Sequence, residues 1–151
     1  MKPFRFGTVA GAVAVVAGLF TLTGCATGLP GPGVFGDGSH AERVERGIPD
    51  GWEGPNPDLL DGVPVVGWVS DTEFGVVTMG SGSCPAVAGE LQILGDDSVR
   101  IEFGQSPRNP CTADLRATTH IYQLPSEVAV RPVTVTVWYD DFDTEYTLEL
   151  G

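Results

Sequence analysis

From residue 63 to the end of the chain, apolar and polar positions alternate in short runs with a period of two, the spacing of strands rather than helices. The runs are VPVVGWVS at 63–70, FGVVTMG at 74–80, ELQIL at 90–94, SVRIEF at 98–103, ATTHIYQL at 117–124, PVTVTVWY at 132–139 and EYTLEL at 145–150. DTE, GDD, PSE and DDFD separate several of them, and their Asp, Gly and Pro supply the backbone angles and local hydrogen bonds of turns. The alternation is cleanest in the last two runs. Val133, Val135, Val137 and Tyr139 share one face and Thr134, Thr136 and Trp138 the other, while Tyr146, Leu148 and Leu150 interleave with Thr147 and Glu149. Such faces suit antiparallel strands buried on one side. About seven short strands without a helical pattern predict an all-β domain over 63–151, a small antiparallel β-sandwich of the immunoglobulin-like kind. A small barrel is the alternative.

Ahead of this domain the pattern breaks twice. Residues 7–22, GTVAGAVAVVAGLFTL, are uncharged and follow Lys2 and Arg5, with no acid nearby. A positive start, an apolar run and small residues after it are the layout of a secretory signal, and the run is somewhat short of the roughly 20 residues that span a bilayer. It ends in Leu22-Thr23-Gly24-Cys25, which resembles a bacterial lipobox. The resemblance implies that residues 1–24 are a lipoprotein signal peptide and that Cys25 becomes the first, lipidated residue. A thiol suits that role because it forms a stable thioether to a diacylglyceryl group. Two chains of the palmitate type, at about 0.8 kcal/mol per buried methylene, anchor where a single chain would not. The expected location is the extracytoplasmic face of the cell membrane. The plainer alternative is an ordinary signal peptide with a chance cysteine at its border.

Residues 25–62 are dominated by glycine and proline, with sparse apolar positions and no period. They read as a flexible tether, with an r.m.s. span of roughly 30–35 Å. One island, SHAERVERG, has Ser39 placed as an N-cap, Glu42 at the capping-box position and Gly47 as a stop, which predicts a turn or two of helix. Trp52 and Leu59-Leu60 are the segment's apolar anchors, expected to pack on the domain edge. A chain starting near Asp61 is accordingly expected to melt within a few degrees of the full mature protein.

Charge narrows the partners. The chain carries 8 basic and 20 acidic residues, a formal net charge of −12. Removing the leader takes away Lys2 and Arg5 but no acid, and leaves arginine as the sole strong cation. So acidic a surface repels nucleic-acid phosphate and anionic headgroups, which argues against nucleic-acid binding or peripheral attachment to lipid. It suits cationic partners, metal ions or plain solubility, and no cofactor motif is present.

With Cys25 assigned to lipid, Cys84 and Cys111 remain, and in an exported protein such a pair reads as a disulfide. Its closure stabilises by about 3.5 kcal/mol in the chain-entropy picture. The other candidates for chemistry each have a plainer reading. In MGSGSCP, residues 79–85, Ser81 and Ser83 are possible nucleophiles, but the order is not G-x-S-x-G and no helix follows. A tight loop entering the disulfide is the expected reading. A serine hydrolase would need His120 as base; strand alternation makes that histidine surface or half-buried, and His40 lies in the tether. DDFDTE, residues 140–145, gathers Asp140, Asp141, Asp143 and Glu145, oxygen donors of the kind calcium uses. It lacks the glycine and distal glutamate of an EF-hand and reads as a solvated hairpin tip.

Gly80-Ser81-Gly82-Ser83-Cys84-Pro85, Cys111-Thr112-Ala113-Asp114-Leu115 and the Val-Thr alternation after Pro132 together resemble a domain recurring in small actinobacterial lipoproteins. The resemblance implies a β fold and the disulfide and transfers no catalytic residue. The expected function is a membrane-anchored, non-enzymatic binding or accessory module whose ligand is left open and whose partner is a protein or another component of the cell envelope. A serine hydrolase built on Ser81 or Ser83, or a divalent-cation binder at Asp141, Asp143 and Glu145, is the alternative.

Overall fold

The computed structural model of the protein describes residues 38–151. The leader, the lipobox-like Leu22–Cys25 and the first part of the tether lie outside the described residues. The rest is two four-stranded sheets packed face to face. One has the order β1-β6-β3-β2 and the other β4-β5-β7-β8. The strands are β1 Arg43–Arg46, β2 Val65–Trp68, β3 Glu73–Gly80, β4 Val87–Gly95, β5 Ser98–Gly104, β6 Arg116–Gln123, β7 Val133–Tyr139 and β8 Thr144–Leu150.

The alternating positions face inward as their pattern requires. Val133, Val135 and Val137 of β7, Val99, Ile101 and Phe103 of β5, and Phe74 and Val76 of β3 form a core that Tyr122, Val128 and Leu150 complete. Phe74 stacks on Tyr122 with ring centroids 5.8 Å apart. The disulfide Cys84–Cys111 closes a 27-residue loop at one end of the sandwich, its Cα atoms 5.4 Å apart.

The sandwich differs from an all-antiparallel immunoglobulin-like one at a single pairing. β5 and β7 run parallel, from Ser98↔Thr134 to Phe103↔Tyr139. This follows from the chain leaving β5, crossing to the other sheet as β6 and returning beside β5 in the same direction. An eighth strand, β1, brings the second difference.

β1 stands where the sequence suggested a helix. Arg43–Arg46 pairs antiparallel with β6, from Arg43↔Ile121 to Arg46↔Thr118. Ser39 caps no helix; its Oγ accepts the Ala41 N–H in a local turn at 3.3 Å. The reason is energetic: an isolated helix of two turns is marginal, whereas the open edge of β6 offers a row of backbone partners. Val44 faces inward with 4 % exposure.

The segment after β1 is likewise part of the fold and not a free tether. Gly47 donates its N–H to Ala117 O and accepts the Thr119 hydroxyl. Glu53 and Trp68 exchange both backbone hydrogen bonds, at 2.7 and 3.0 Å. Between them the Trp52 indole lies across two cross-strand glycines, Gly67 of β2 and Gly75 of β3. A Cβ on Gly67 would meet the ring at 2.8 Å and one on Gly75 at 3.1 Å. Glycine inside both strands is therefore a seat for the indole. This cover helps bury the outward-facing Val77, Thr119 and Ile121 as fully as the core. Leu59 and Leu60 do not join it: they stand 55 % and 92 % exposed.

Candidate functional site

The serine loop and the disulfide form one knot. Ser83 Oγ accepts the Thr112 N–H at 2.8 Å, and the Ser81 and Thr112 hydroxyls share a hydrogen bond of 3.1 Å. Gly82 N–H donates to Asp114 at 3.0 Å, and Arg116 Nε donates to the other oxygen of the same carboxylate at 2.6 Å. The Thr112 hydroxyl, then Arg116, then the Gly82 amide hold the Asp114 carboxyl down to about 2. Hydroxyls engaged this way cross-link two loops; the bonds tie Ser81 and Ser83 to the Cys111–Arg116 strand lead-in.

His120 is in a different place. It lies inside the sandwich at 0 % exposure, not on or near a surface. Both faces of β6 are covered, the inner by the opposite sheet and the outer by residues 47–54, so alternation no longer separates wet from dry. Its Nε2 bonds Thr78 Oγ1 at 3.2 Å, its ring sits edge-on to Phe103 at 4.9 Å, and Nδ1 has no partner. Desolvation pulls its pKa down to about 4, so the ring is neutral at pH 7. The geometry assembles no serine–histidine pair.

The acidic tip offers no converging donors either. Asp140 and Asp141 belong to a short 3-10 turn, Asp140–Phe142, and Asp143 adopts the left-handed conformation that reverses the chain into β8. Glu145 is engaged by Arg100 at 3.1 Å. Among the described residues no three His, Cys, Asp or Glu side chains gather as metal ligands.

The recess that does combine contrasting chemistries is a cleft of about 330 Å³ lined by Gly51, Glu53, Trp68, Val69, Ser70, Asp71 and Arg131. Three separate segments build it. The first is the covering loop, fixed by the Glu53–Trp68 bridge; Gly51 there has φ 81° and passes so close that a Cβ would stand 3.0 Å from Val69 O. The second is the β2–β3 turn. Val69 and Ser70 N–H both donate to Glu73 O, at 2.9 and 3.2 Å, and Ser70 Oγ accepts the Glu73 N–H at 3.1 Å. Glu73 is pinned in turn by Arg43 of β1 at 2.6 Å. That bond, more than any other contact, raises the Arg43 pKa.

The third segment is the β6–β7 connection, which carries Arg131. Val130 N–H donates to Asp96 O at 2.9 Å and Thr134 N–H to Asp97 O at 2.8 Å, so the β4–β5 turn holds the connection on both sides of Arg131. The guanidinium lies over the Trp68 ring, 3.8 Å from its centroid. That indole is itself fixed, edge-on to Phe74 at 6.4 Å and with Nε1 donating to Gly151 O. A second groove of about 380 Å³ runs beside β4, past Glu90, Gln92 and Glu102; it has carboxylates but no arginine.

None of the cleft residues is marked by a motif. Trp68 and Arg131 lie far apart in the chain and Glu53 lies in the stretch that reads as a tether, so local pattern gives no sign that they meet. The one local signal is glycine at Gly67 and Gly75 inside strand-like runs, which points to something packed closely above them. No protein-family model, curated protein or solved structure matches the chain.

Proposed function

We propose that this chain is a lipid-anchored extracytoplasmic module that binds rather than catalyses, with Cys25 as its lipid attachment point and the Trp68–Arg131 cleft as its binding recess. The observation that carries the reading is the Cys84–Cys111 bridge. Disulfides of this kind persist outside the reducing cytoplasm, which is where a leader ending in Leu22-Thr23-Gly24-Cys25 delivers a chain. The commitment of Ser81 and Ser83 to the disulfide knot, and of His120 to Thr78, supports binding over hydrolysis. The acidic surface disfavours nucleic acid, and the two acyl chains, not the protein surface, supply attachment to the membrane.

Expression of the wild-type and Cys25→Ser chains in a bacterial host that processes lipoproteins, followed by fractionation and intact mass, tests the anchor. The wild type is expected in the membrane fraction with a diacylglyceryl mass increment. The serine variant is expected uncleaved or released. Equal retention of both with unmodified masses refutes the anchor. A serine-directed fluorophosphonate probe tests the second half: covalent labelling at Ser81 or Ser83 replaces the binding module with a hydrolase.

A further inference from the structure

We propose that the cleft between the β2–β3 turn and the β6–β7 connection binds a small zwitterion, a ligand with one carboxylate and one ammonium group, as in a free amino acid or a short peptide.

The argument starts from Arg131. A guanidinium centred 3.8 Å over an indole leaves N–H groups at its rim, and these match the two oxygens of a carboxylate. No carboxylate within the described residues forms an ion pair with Arg131, whereas Arg43 has two, and Arg100 and Arg116 one each. In a chain with 20 acids and 8 strong bases, an arginine held over a tryptophan without an acidic partner is the exception. Its guanidinium lies over the Trp68 ring, and a connection tied at Val130 and Thr134 holds it there.

The walls decide what else the ligand must carry. Glu53 and Asp71 line the same cleft, in a protein whose net charge already repels anions. A bare carboxylate or phosphate approaching Arg131 meets both acids, and a bare cation meets the guanidinium. A ligand that brings both charges satisfies both sides, and like-charge rejection of the simpler ions supplies selectivity. The edge of the Trp68 ring remains for the ligand's neutral part. A recess of about 330 Å³ is at the small end of ligand pockets and takes an amino acid or a dipeptide rather than a long chain.

This inference rests on the reading of the chain as a binding module, and the test keeps the two apart. The full-length chain in detergent is titrated calorimetrically with alanine, dialanine, N-acetylalanine and alaninamide. Saturable one-to-one binding of alanine or dialanine is expected, at least about tenfold tighter than binding of the acetylated or the amidated compound, because each of those lacks one charge-assisted contact. The tighter of alanine and dialanine identifies a free amino acid or a peptide as the source. Arg131→Gln is expected to abolish binding, and Glu53→Gln with Asp71→Asn to remove the preference for the ammonium-bearing ligands. Circular dichroism confirms that each variant is folded.

Equal affinity for N-acetylalanine or alaninamide, lost in Arg131→Gln, overturns the zwitterion and keeps the cleft as a binding site. Binding of dialanine that survives Arg131→Gln overturns the site. Absence of saturable binding by all four compounds overturns the ligand class, while membrane retention and fluorophosphonate labelling decide separately whether the chain is an anchored, non-catalytic module.

Discussion

β7 and β8 hold each other through a continuous register, from Val133↔Leu150 to Tyr139↔Thr144. The segment from Gly38 to Leu60 holds to the same sandwich by a four-residue strand, one backbone bridge, a few single bonds such as Gly47 N–H to Ala117 O and Arg43 to Glu73, and one indole. The hairpin repeats one local rule at every step: a backbone pair with a side chain alternately in and out. Each repeat stabilises modestly, and the loss of one leaves the others in place. The covering segment repeats nothing. Its contacts are few, each made once, and they reach residues far away in sequence. Stability built in that way is concentrated in named groups, and four measurements separate it from the distributed kind.

The largest effect is expected from removing the segment. A chain that begins at Asp61 lacks β1 and Trp52, leaves β6 as an open edge and bares Val77, Thr119 and Ile121, all at 0 % exposure when covered. The lost burial of several large side chains, at about 1.5–3 kcal/mol each, rivals the whole stability of a small domain. The melting midpoint should fall by more than about 15 °C relative to a chain beginning at Gly38, or the shorter chain should not fold. A difference of a few degrees in paired thermal melts would return residues 38–60 to the role of a tether.

Acidification should act next, through the interior between the sheets. His120 is neutral in the fold with a pKa of about 4, below its ordinary 6.5. The unfolded chain therefore binds the proton first as pH falls, and stability drops between pH 6.5 and 4 and levels off below. The full loss is about 3 kcal/mol. The neighbouring contacts are with Thr78 and Phe103, neither of which carries charge. Asp114, held down to about 2 from 3.8, loses its contribution only below pH 3.8, beneath this window. Urea titrations at pH 7.5 and 4.5 should show the loss in the wild type and a much smaller one in His120→Gln. An equal pH effect in both assigns it to other groups.

These two tests also mark the boundary of what the sequence discloses. Strand positions over 63–151, the inward set of Val133, Val135 and Val137 and the bridge between Cys84 and Cys111 are legible, because each follows from period-two alternation or from cysteine pairing in an exported chain. β1 is not, because RVER contains one apolar residue and borrows its order from the edge of β6. The burial of His120 is not, because alternation puts it on one face of β6 without revealing that this face packs against Phe103 of the opposite sheet. The cleft is the least legible, since Trp68 and Arg131 meet only once the two sheets are stacked. Gly67 and Gly75 held the clue: glycines inside strands mark close approach, though not by what.

Trp52→Ala isolates that approach. The indole is half-buried over the glycine pair, with Nε1 donating to Pro55 O at 3.2 Å. Its removal leaves an uncovered trough, for about 2–3 kcal/mol, or roughly 10 °C for a domain of this size. Tyr146→Ala on β8 is the matched control from the hairpin, where Tyr139 meets Tyr146 edge to face at 6.1 Å and the backbone register persists without the ring. A smaller midpoint change for Tyr146→Ala is expected. A larger one would show that the hairpin, not the cover, concentrates its energy in one aromatic side chain.

The smallest effect belongs to the same segment and sharpens the contrast within it. Leu59 and Leu60 are its most apolar adjacent pair, and composition alone would rank them with Trp52. Yet Leu60 is 92 % exposed and Leu59 55 %, and the turn they occupy is held by carboxylates, through Leu60 N–H to Asp58 at 2.8 Å and Val63 N–H to Asp61 at 2.9 Å. Side chains already in water lose little apolar burial when truncated, and exposed substitutions typically stay within about 0.5 kcal/mol. The double variant Leu59→Ser, Leu60→Ser should therefore melt within about 3 °C of the wild type, while Trp52→Ala a few residues away falls by several times as much. If the serine pair instead lowers the midpoint as far as Trp52→Ala does, the cover is a distributed apolar contact and not a single indole seated on two glycines.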